Sequence, residues 1–347
     1  MKHILVHGAE GRFSAWPANN GLWSWDGSEL LVGCVEGEYD PTAEFHLIRP
    51  PYHHLLLRSL DGGESWRTEV PQPFIADHEP QELAQELDFT QPDLALRVLG
   101  TGYHGSKEAR GAFLASLDRG KNWQGPFWLR GLEAEPELAG LELTPRTDTL
   151  IEGPRAALFL LSARLPGTFL DRAFCARTPD GGRTFHFVSW ITPSQDPYRA
   201  VMPATLRLDP NHLVSALRRR AVPADVCWID AFHSLDGGQS WSLLSRVGET
   251  GPNNGNPPAL ARLRDGRLVC VYGRRDICQL VARLSQDEGR SWGEERCLRA
   301  GFSGRRPDFG YPRLAVRADG QLVTLYYWSS SEHPGQHIAA TIWDADE

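Results

Sequence analysis

The sequence predicts an all-β chain, a six-bladed β-propeller formed as a single domain over residues 1–347. Three observations predict it. An octapeptide, Ser59-Leu-Asp-Gly-Gly-Glu-Ser-Trp66, returns four more times in the pattern S/T-x-D-x-G-x-x-W/F, at Ser116–Trp123, Thr178–Phe185, Ser234–Trp241 and Ser285–Trp292. The copies follow one another at steps of 57, 62, 56 and 51 residues, a period that signals repeat architecture, and the chain length divided by that step gives about six units. Between the copies run short apolar stretches bounded by Gly and Asp turns, the signature of short strands.

The octapeptide is worded for a tight turn. An Asp carboxylate accepts hydrogen bonds from backbone N–H groups two or three residues on. The Gly supplies a positive φ without a Cβ clash. The Ser or Thr hydroxyl gives the turn a second local partner, and the closing aromatic anchors it in the apolar layer beneath. These Asp residues are read as structural, not as calcium ligands or catalysts.

Most units follow one order: a Pro-marked first strand, a Gly/Asp turn, an apolar second strand, a third strand, the Asp turn and a fourth strand. Unit one runs from Trp16-Pro17 through Leu30–Val35 to the turn at 59–66. Unit two starts near Gln91-Pro92 and unit three near Thr144-Pro145, passing through Ala157–Leu161. Unit four starts at Met202-Pro203 and includes His212–Leu217. Unit five reads most plainly: Asn256–Leu263, the turn Arg264–Arg267, Leu268–Tyr272, then Leu280–Leu284. Unit six starts at Tyr311-Pro312, continues through Gln321–Tyr327 and His337–Trp343, and has no Asp turn or fourth strand. Lys2–Val6 precedes unit one and is expected to fill that vacancy, which closes the ring and removes two open sheet edges. Residues 77–87, with acids, a Pro and Leu83 and Leu87, carry signals of a short helix. That stretch and the acidic Leu132–Leu143 are expected to be solvated loops between units.

Composition narrows the function. The formal charge of −8 argues against nucleic acid or an anionic membrane as the partner. The six cysteines form no CxxC pair and indicate neither a disulfide framework nor a zinc site; Cys34 and Cys270 lie in apolar runs and are expected to be buried thiols. No apolar stretch is long enough for a membrane span, and the N-terminus lacks the apolar run of a signal peptide. The expectation is a cytoplasmic protein, or a secreted or periplasmic one if a leader has been removed. No metal or cofactor is called for, and the oligomeric state is left open.

A propeller gathers the starts of its first strands, and the adjoining loops, around one mouth. The polar groups there are Arg12, Asn19, Asn20, Arg146, Asp148, Arg199, Asn254, Asn256, Asp308 and Tyr311, with Arg218–Arg220 and Arg274–Asp276 at the ends of second strands and His46 on the long loop of unit one. The excess of arginine is the informative feature. Guanidinium groups from several units, converging on one point, form a receptor for a carboxylate or phosphate, because their forked donors grip such groups bidentately.

With its five Asp turns, the chain resembles the sialidase superfamily, the BNR-repeat or Asp-box propellers, over essentially its whole length. The resemblance implies an arginine triad clamping a substrate carboxylate, a Tyr nucleophile assisted by a Glu, and an Asp acid/base; these enzymes depart from the two-carboxylate rule of most glycosidases. Carried over by position, Arg12 in Gly11–Pro17 is the first arginine, without the family's Arg-Ile-Pro wording. Arg218 and Arg274 are the second and third, with Arg275 beside them. Tyr311, in Asp308-Phe-Gly-Tyr-Pro-Arg313, is the nucleophile. The helper Glu is not matched, since Ala200–Thr205 occupies its place, and only Glu36, Glu38, Asp40 and His46 stand where the Asp is expected. A Tyr of ordinary pKa, about 10, needs a base at neutral pH, and Asp308, three residues before Tyr311, is the candidate. Arg146 and Asp148 lie outside the family pattern; Asp148 as acid/base opposite His46 suits another glycosidase or a lyase on a uronic acid.

Three readings follow. The first is an exo-acting, sialidase-like glycoside hydrolase binding a carboxylated terminal sugar through Arg12, Arg146, Arg218, Arg274, Arg275 and Asn256. The second is a polysaccharide lyase on a uronic-acid-containing glycan, with His46, Arg146, Asp148 and Tyr311 as its working set. The third is a non-catalytic glycan-binding propeller. In each, the partner is a saccharide.

Overall fold

The computed structural model describes residues 1–43, 46–70, 79–100, 110–146 and 148–347. The chain is all-β: its described residues form six small antiparallel sheets, the blades of a six-bladed β-propeller. Two compact units are distinguishable, residues 1–70, 225–228 and 247–347, and residues 71–224 and 229–246.

The first unit contains blades one, five and six. In blade one, Glu29–Tyr39 pairs with Ile48–Ser59 on one side and with both Arg12–Ala15 and Leu22–Trp25 on the other. Blade five stacks Ala259–Arg262, Leu268–Arg274, Gln279–Ser285 and Arg296–Arg299 in chain order. Blade six stacks Gly310–Val316, Leu322–Trp328 and His337–Trp343, and its fourth strand is the N-terminal Lys2–His7, antiparallel to the third with Lys2 opposite Ile342 and Ile4 opposite Ala340. The expected closure is therefore present. The core here includes Val269, Val271, Tyr326, Trp328 and Trp343. Cys34 and Cys270 are fully buried, and burial pushes both thiols far up from their ordinary pKa.

In the second unit, blade two shows three strands among the described residues, Ala95–Leu99, Ala112–Ser116 and Gln124–Trp128. Blade three is built on Ala157–Arg164 and Arg172–Thr178, and the innermost strand of blade four is Arg199–Arg207. The core is rich in phenylalanine: Phe159 lies edge-on to Phe185 at 5.0 Å and to Phe113 at 6.1 Å. Phe185 closes the third Asp turn, so the aromatic foot expected of that turn reaches the core.

All five Asp turns share one bond set. The Ser or Thr hydroxyl accepts the N–H of the second glycine position at 2.8, 2.8, 2.9, 2.8 and 2.7 Å in chain order. The Asp Oδ1 accepts the backbone N–H four residues on, at 2.9 Å in the first four turns and 2.8 Å in the last. The reach is longer than the two or three residues expected, because two successive left-handed residues, the second always glycine, turn the chain before it comes back. Hydrogen bonds from the Ser240 and Ser291 hydroxyls hold the Asp236 and Asp287 carboxyls at about 2, below the ordinary 3.8. A depressed folded-state pKa stabilises the fold fully above the unfolded value, and that contribution is lost as pH falls through the folded one. Acid titration followed by circular dichroism should therefore show stability falling between about pH 4 and pH 2, and Asp236→Asn should flatten that fall.

Two expectations are corrected. Leu132–Leu143 is not a solvated loop: Leu132, Leu138 and Leu143 are buried in the core of the second unit, the first two on single 3-10 turns, Leu132–Ala134 and Pro136–Leu138, and the third on the short strand Glu142–Leu143. The helix signalled at 77–87 is absent over residues 79–87, while 77 and 78 lie outside the described residues. Gln81 instead bridges to Phe127 in parallel, and Leu87 is buried, so tertiary burial overrides the local helix signal.

Candidate active site

In blades one, four and six the prolines read as starts of first strands have another role. In blades four and six they sit inside the strand, where the register slips by one residue between Val201 and Ala204 and between Gly310 and Arg313. A proline cannot donate to the ladder, so within a sheet it belongs at such bulges. The residue before each proline is left-handed: Met202 at φ 57° and Tyr311 at φ 48°. Trp16, before Pro17, is left-handed too, at φ 62°, where a single helical turn, Pro17–Asn20, breaks the inner strand of blade one. Bulky residues at positive φ are strained, and such strain gathers at functional sites.

In the first unit these strained residues bound a polar cluster. The Asp308 carboxylate, 6% exposed, is hydrogen-bonded through Oδ2 to His46 Nδ1 at 2.8 Å. Its Oδ1 accepts from the Tyr327 hydroxyl and, at 3.4 Å, from Arg275 Nη2. Arg275 also donates to the Asn253 carbonyl and lies 6.0 Å from the centre of the Tyr311 ring. Tyr311 packs edge-on to Tyr327 at 5.9 Å, and Trp16 packs edge-on to His46 at 4.9 Å. Burial is the largest influence on His46 and disfavours its charge, yet the hydrogen bond and charge of Asp308 outweigh it and the imidazole pKa is raised. Burial likewise opposes ionisation of Asp308, but His46 and Arg275 hold its pKa below the ordinary value. Burial above all pushes Tyr327 well above 10, so it stands as a protonated donor. The result is a His–Asp dyad whose imidazole is 39% exposed while its carboxylate is buried. Such a dyad fixes the tautomer, with Nδ1–H toward the carboxylate, and presents Nε2 for proton transfer.

The structure thus brings together four sequence candidates, His46, Arg275, Asp308 and Tyr311, and adds Tyr327 and Trp16. Tyr327 is hidden in the apolar run of a second strand, where the sequence does not set it apart from core residues. Trp16 was visible as the residue before a proline. Asp308 is engaged by His46, Arg275 and Tyr327, which is a different role from the base expected for Tyr311.

Other candidates are held elsewhere. Asn256 is fully buried: its Nδ2 donates to the Phe309 carbonyl at 2.7 Å and its Oδ1 accepts the Tyr311 N–H at 2.9 Å. These two bonds clamp the strained Tyr311 backbone. A Cβ on Gly310 would come within 2.5 Å of Asn256 Oδ1, so that neighbour must be glycine. Arg12 pairs with Glu36 (Nε–Oε1 3.2 Å), which also meets His7 at 2.7 Å. Arg274 is gripped by Asp276 (3.0 and 2.7 Å) and by Glu295. The arginine beside Tyr311 is Arg275 and not Arg274.

In the second unit, Asp148 Oδ2 accepts from Thr205 Oγ1 at 2.9 Å, and Thr205 is 2.8 Å from Ser215 Oγ. Arg146 donates to the carbonyls of Thr144 and Pro145 at 3.0 and 2.8 Å, a bond set that turns it back on its own loop. Arg218, 3% exposed, donates to the Met202 sulfur at 3.5 Å. Arg199 pairs with the buried Asp171 at 2.6 Å and Arg219 with Asp196. Among the described residues no group of three or more His, Cys, Asp or Glu is placed to hold a metal ion, and no helix is long and apolar enough to cross a membrane.

Comparison with known proteins agrees with this architecture. No curated protein matches the chain by sequence. A crystal structure of a Dyadobacter fermentans protein of unknown function is similar at TM-score 0.73 and 19% identity, covering 99% of this chain and 98% of that one. The α-L-arabinanase of Penicillium chrysogenum, solved with arabinobiose, is similar at TM-score 0.59 and 12% identity, covering 100% and 99%. The NanB sialidase of Streptococcus pneumoniae is similar at TM-score 0.56 and 10% identity, covering 99% of this chain and 70% of that one. At these identities the likeness establishes the fold. A family model described as a BNR repeat-like domain matches residues 88–324. The chain belongs to the BNR repeat-like domain family.

Proposed function

We propose that the protein is an exo-acting glycoside hydrolase for a terminal sugar bearing a carboxylate, with the His46–Asp308 dyad as its proton-transfer centre. The dyad carries the reading: a part-exposed imidazole on a buried, ionised carboxylate, beside Tyr311 and Arg275. The His46 imidazolium gives its Nε2 proton to the glycosidic oxygen as the C–O bond breaks. Tyr311 lies where its oxygen faces the positive charge that develops on the sugar. Water then adds to the anomeric carbon and returns a proton to His46. Arg275 supplies the positive charge for the substrate carboxylate. The similar folds of a sialidase and an arabinanase support sugar chemistry.

The same dyad favours one second reading, a uronate lyase. Neutral His46, its Nδ1–H on Asp308, offers Nε2 as a base for the proton next to the carboxylate. The electron pair forms the C=C bond, the C–O bond to the leaving sugar breaks, and the Tyr311 hydroxyl returns a proton to the leaving oxygen.

A panel of fluorogenic sialosides, glucuronides and arabinosides, run beside an absorbance assay for unsaturated uronates, tests both. Hydrolysis is expected on a carboxylated sugar, with kcat falling as pH rises through the raised pKa of His46. A lyase would show the opposite limb, because it needs the neutral imidazole. Glycan binding with no cleavage anywhere in the panel would reject both and leave a glycan-binding propeller.

A further inference from the structure

We infer that Tyr327 is a positioning residue: its hydroxyl, together with the Arg275 guanidinium, holds the Asp308 carboxylate turned to His46 and so fixes which imidazole nitrogen carries the mobile proton. Its place in the reaction rests on the reading above; its effect on the imidazole does not. The two oxygens of Asp308 are divided. Oδ2 faces His46, while Oδ1 takes the Tyr327 hydroxyl and Arg275 Nη2, and Arg275 Nη2 is also 3.4 Å from the Tyr327 oxygen. The three groups close a triangle behind the carboxylate. Tyr327 is fully buried, so its hydroxyl does not reach solvent as a reacting group. Just before the third strand of blade six, the Gln336 amide approaches the Asp308 carbonyl at 3.4 Å.

The groups facing His46 are Asp308, Tyr311 and Arg275, with Tyr327 behind Asp308. On its own loop Asp40 and Arg49 pair with each other at 3.1 Å, and Arg305 donates to the Pro41 carbonyl. Tyr327 is therefore a neutral donor, among the described residues, that draws charge from the carboxylate away from the imidazole.

The test is an NMR titration of the His46 ring in the full chain, without substrate. In the wild type the neutral ring is expected as the Nδ1–H tautomer. In Tyr327→Phe, Asp308 keeps its charge through Arg275 but loses one donor. Its charge then falls more fully on His46, and the ring pKa should rise by about one unit, the size of one hydrogen bond to a charged group. A Tyr327→Phe titration that superimposes on the wild type would overturn the proposal. If that variant does not fold, the wild-type protein answers the same question: a downfield, slowly exchanging Tyr327 hydroxyl proton that vanishes in Asp308→Asn supports the triangle, and its absence from the wild type overturns it. Because none of these readouts uses catalysis, a protein that cleaves no sugar could still show the shift, and an active one could lack it.

Discussion

Replacing His46 by glutamine is expected to lower kcat/KM on the cleaved glycoside by about two to four orders of magnitude, the usual range for a lost general acid or base. Glutamine fills a similar volume and can still donate to Asp308, so the loop is kept while the transferable proton is lost. Steady-state kinetics and a melting curve on the same sample separate the two: turnover should collapse with little change in Tm. Asp308→Asn should also lose turnover, because the amide no longer favours the imidazolium and permits either tautomer. Arg275→Met and Arg274→Met should divide. The first should raise KM for the carboxylated sugar, whereas the second breaks the Asp276 and Glu295 pairing and should show in stability. Full activity in His46→Gln would reject the dyad as the proton-transfer centre.

Trp343→Ala is expected to be the most destabilising single truncation in the first unit, at about 3–5 kcal/mol. Trp343 is 1% exposed and packs in a core with Leu322, Tyr326 and Trp328. Its indole N–H donates to Thr324 Oγ1 at 2.9 Å, so truncation leaves both a cavity and a buried hydroxyl short of a partner. It also ends the strand on which the N-terminal segment pairs, so loosened packing there reaches the closure of blade six. Denaturant unfolding should show the midpoint falling with little change in slope. Trp343→Phe, which refills most of the volume, should recover more than half of the loss. A truncation costing less than about 1 kcal/mol would mean that this core is not close-packed.

Much of the fold was legible because its signal is local. Each Asp turn makes its bonds inside eight residues, so the pattern survives in the sequence without knowledge of the rest of the chain. The N-terminal strand was legible by subtraction, as one strand short in blade six and one left over at the start. The candidate site was legible only in part, for a reason visible in Arg274 and Arg275. Arg274 is the last residue of its strand and Arg275 opens the turn that follows, so a one-residue error exchanges the arginine beside Tyr311 for one bound by carboxylates. The sequence shows two arginines and not which of them faces inward. Arg12 was misleading for a related reason: Glu36, its partner, is 24 residues away and meets it across a strand pair. Asn256 looked like a free polar group at a strand start, yet the strain at Tyr311 claims both ends of its amide. Tyr327 left almost no trace, because a buried phenol in Leu-Val-Thr-Leu-Tyr-Tyr-Trp328 reads as core.

The five self-contained Asp turns have an evolutionary consequence. They join third strands to fourth, at the opposite end of each blade from the first-strand starts where Trp16 and Tyr311 are strained. None of the hydroxyl, carboxylate and amide bonds common to the five leaves its own octapeptide. Selection can therefore rewrite one end while leaving the other untouched. A lineage of such proteins can drift from one reaction to another, or to none, and still carry the same signature, and ancestry read from the turns is silent about what the opposite end has become.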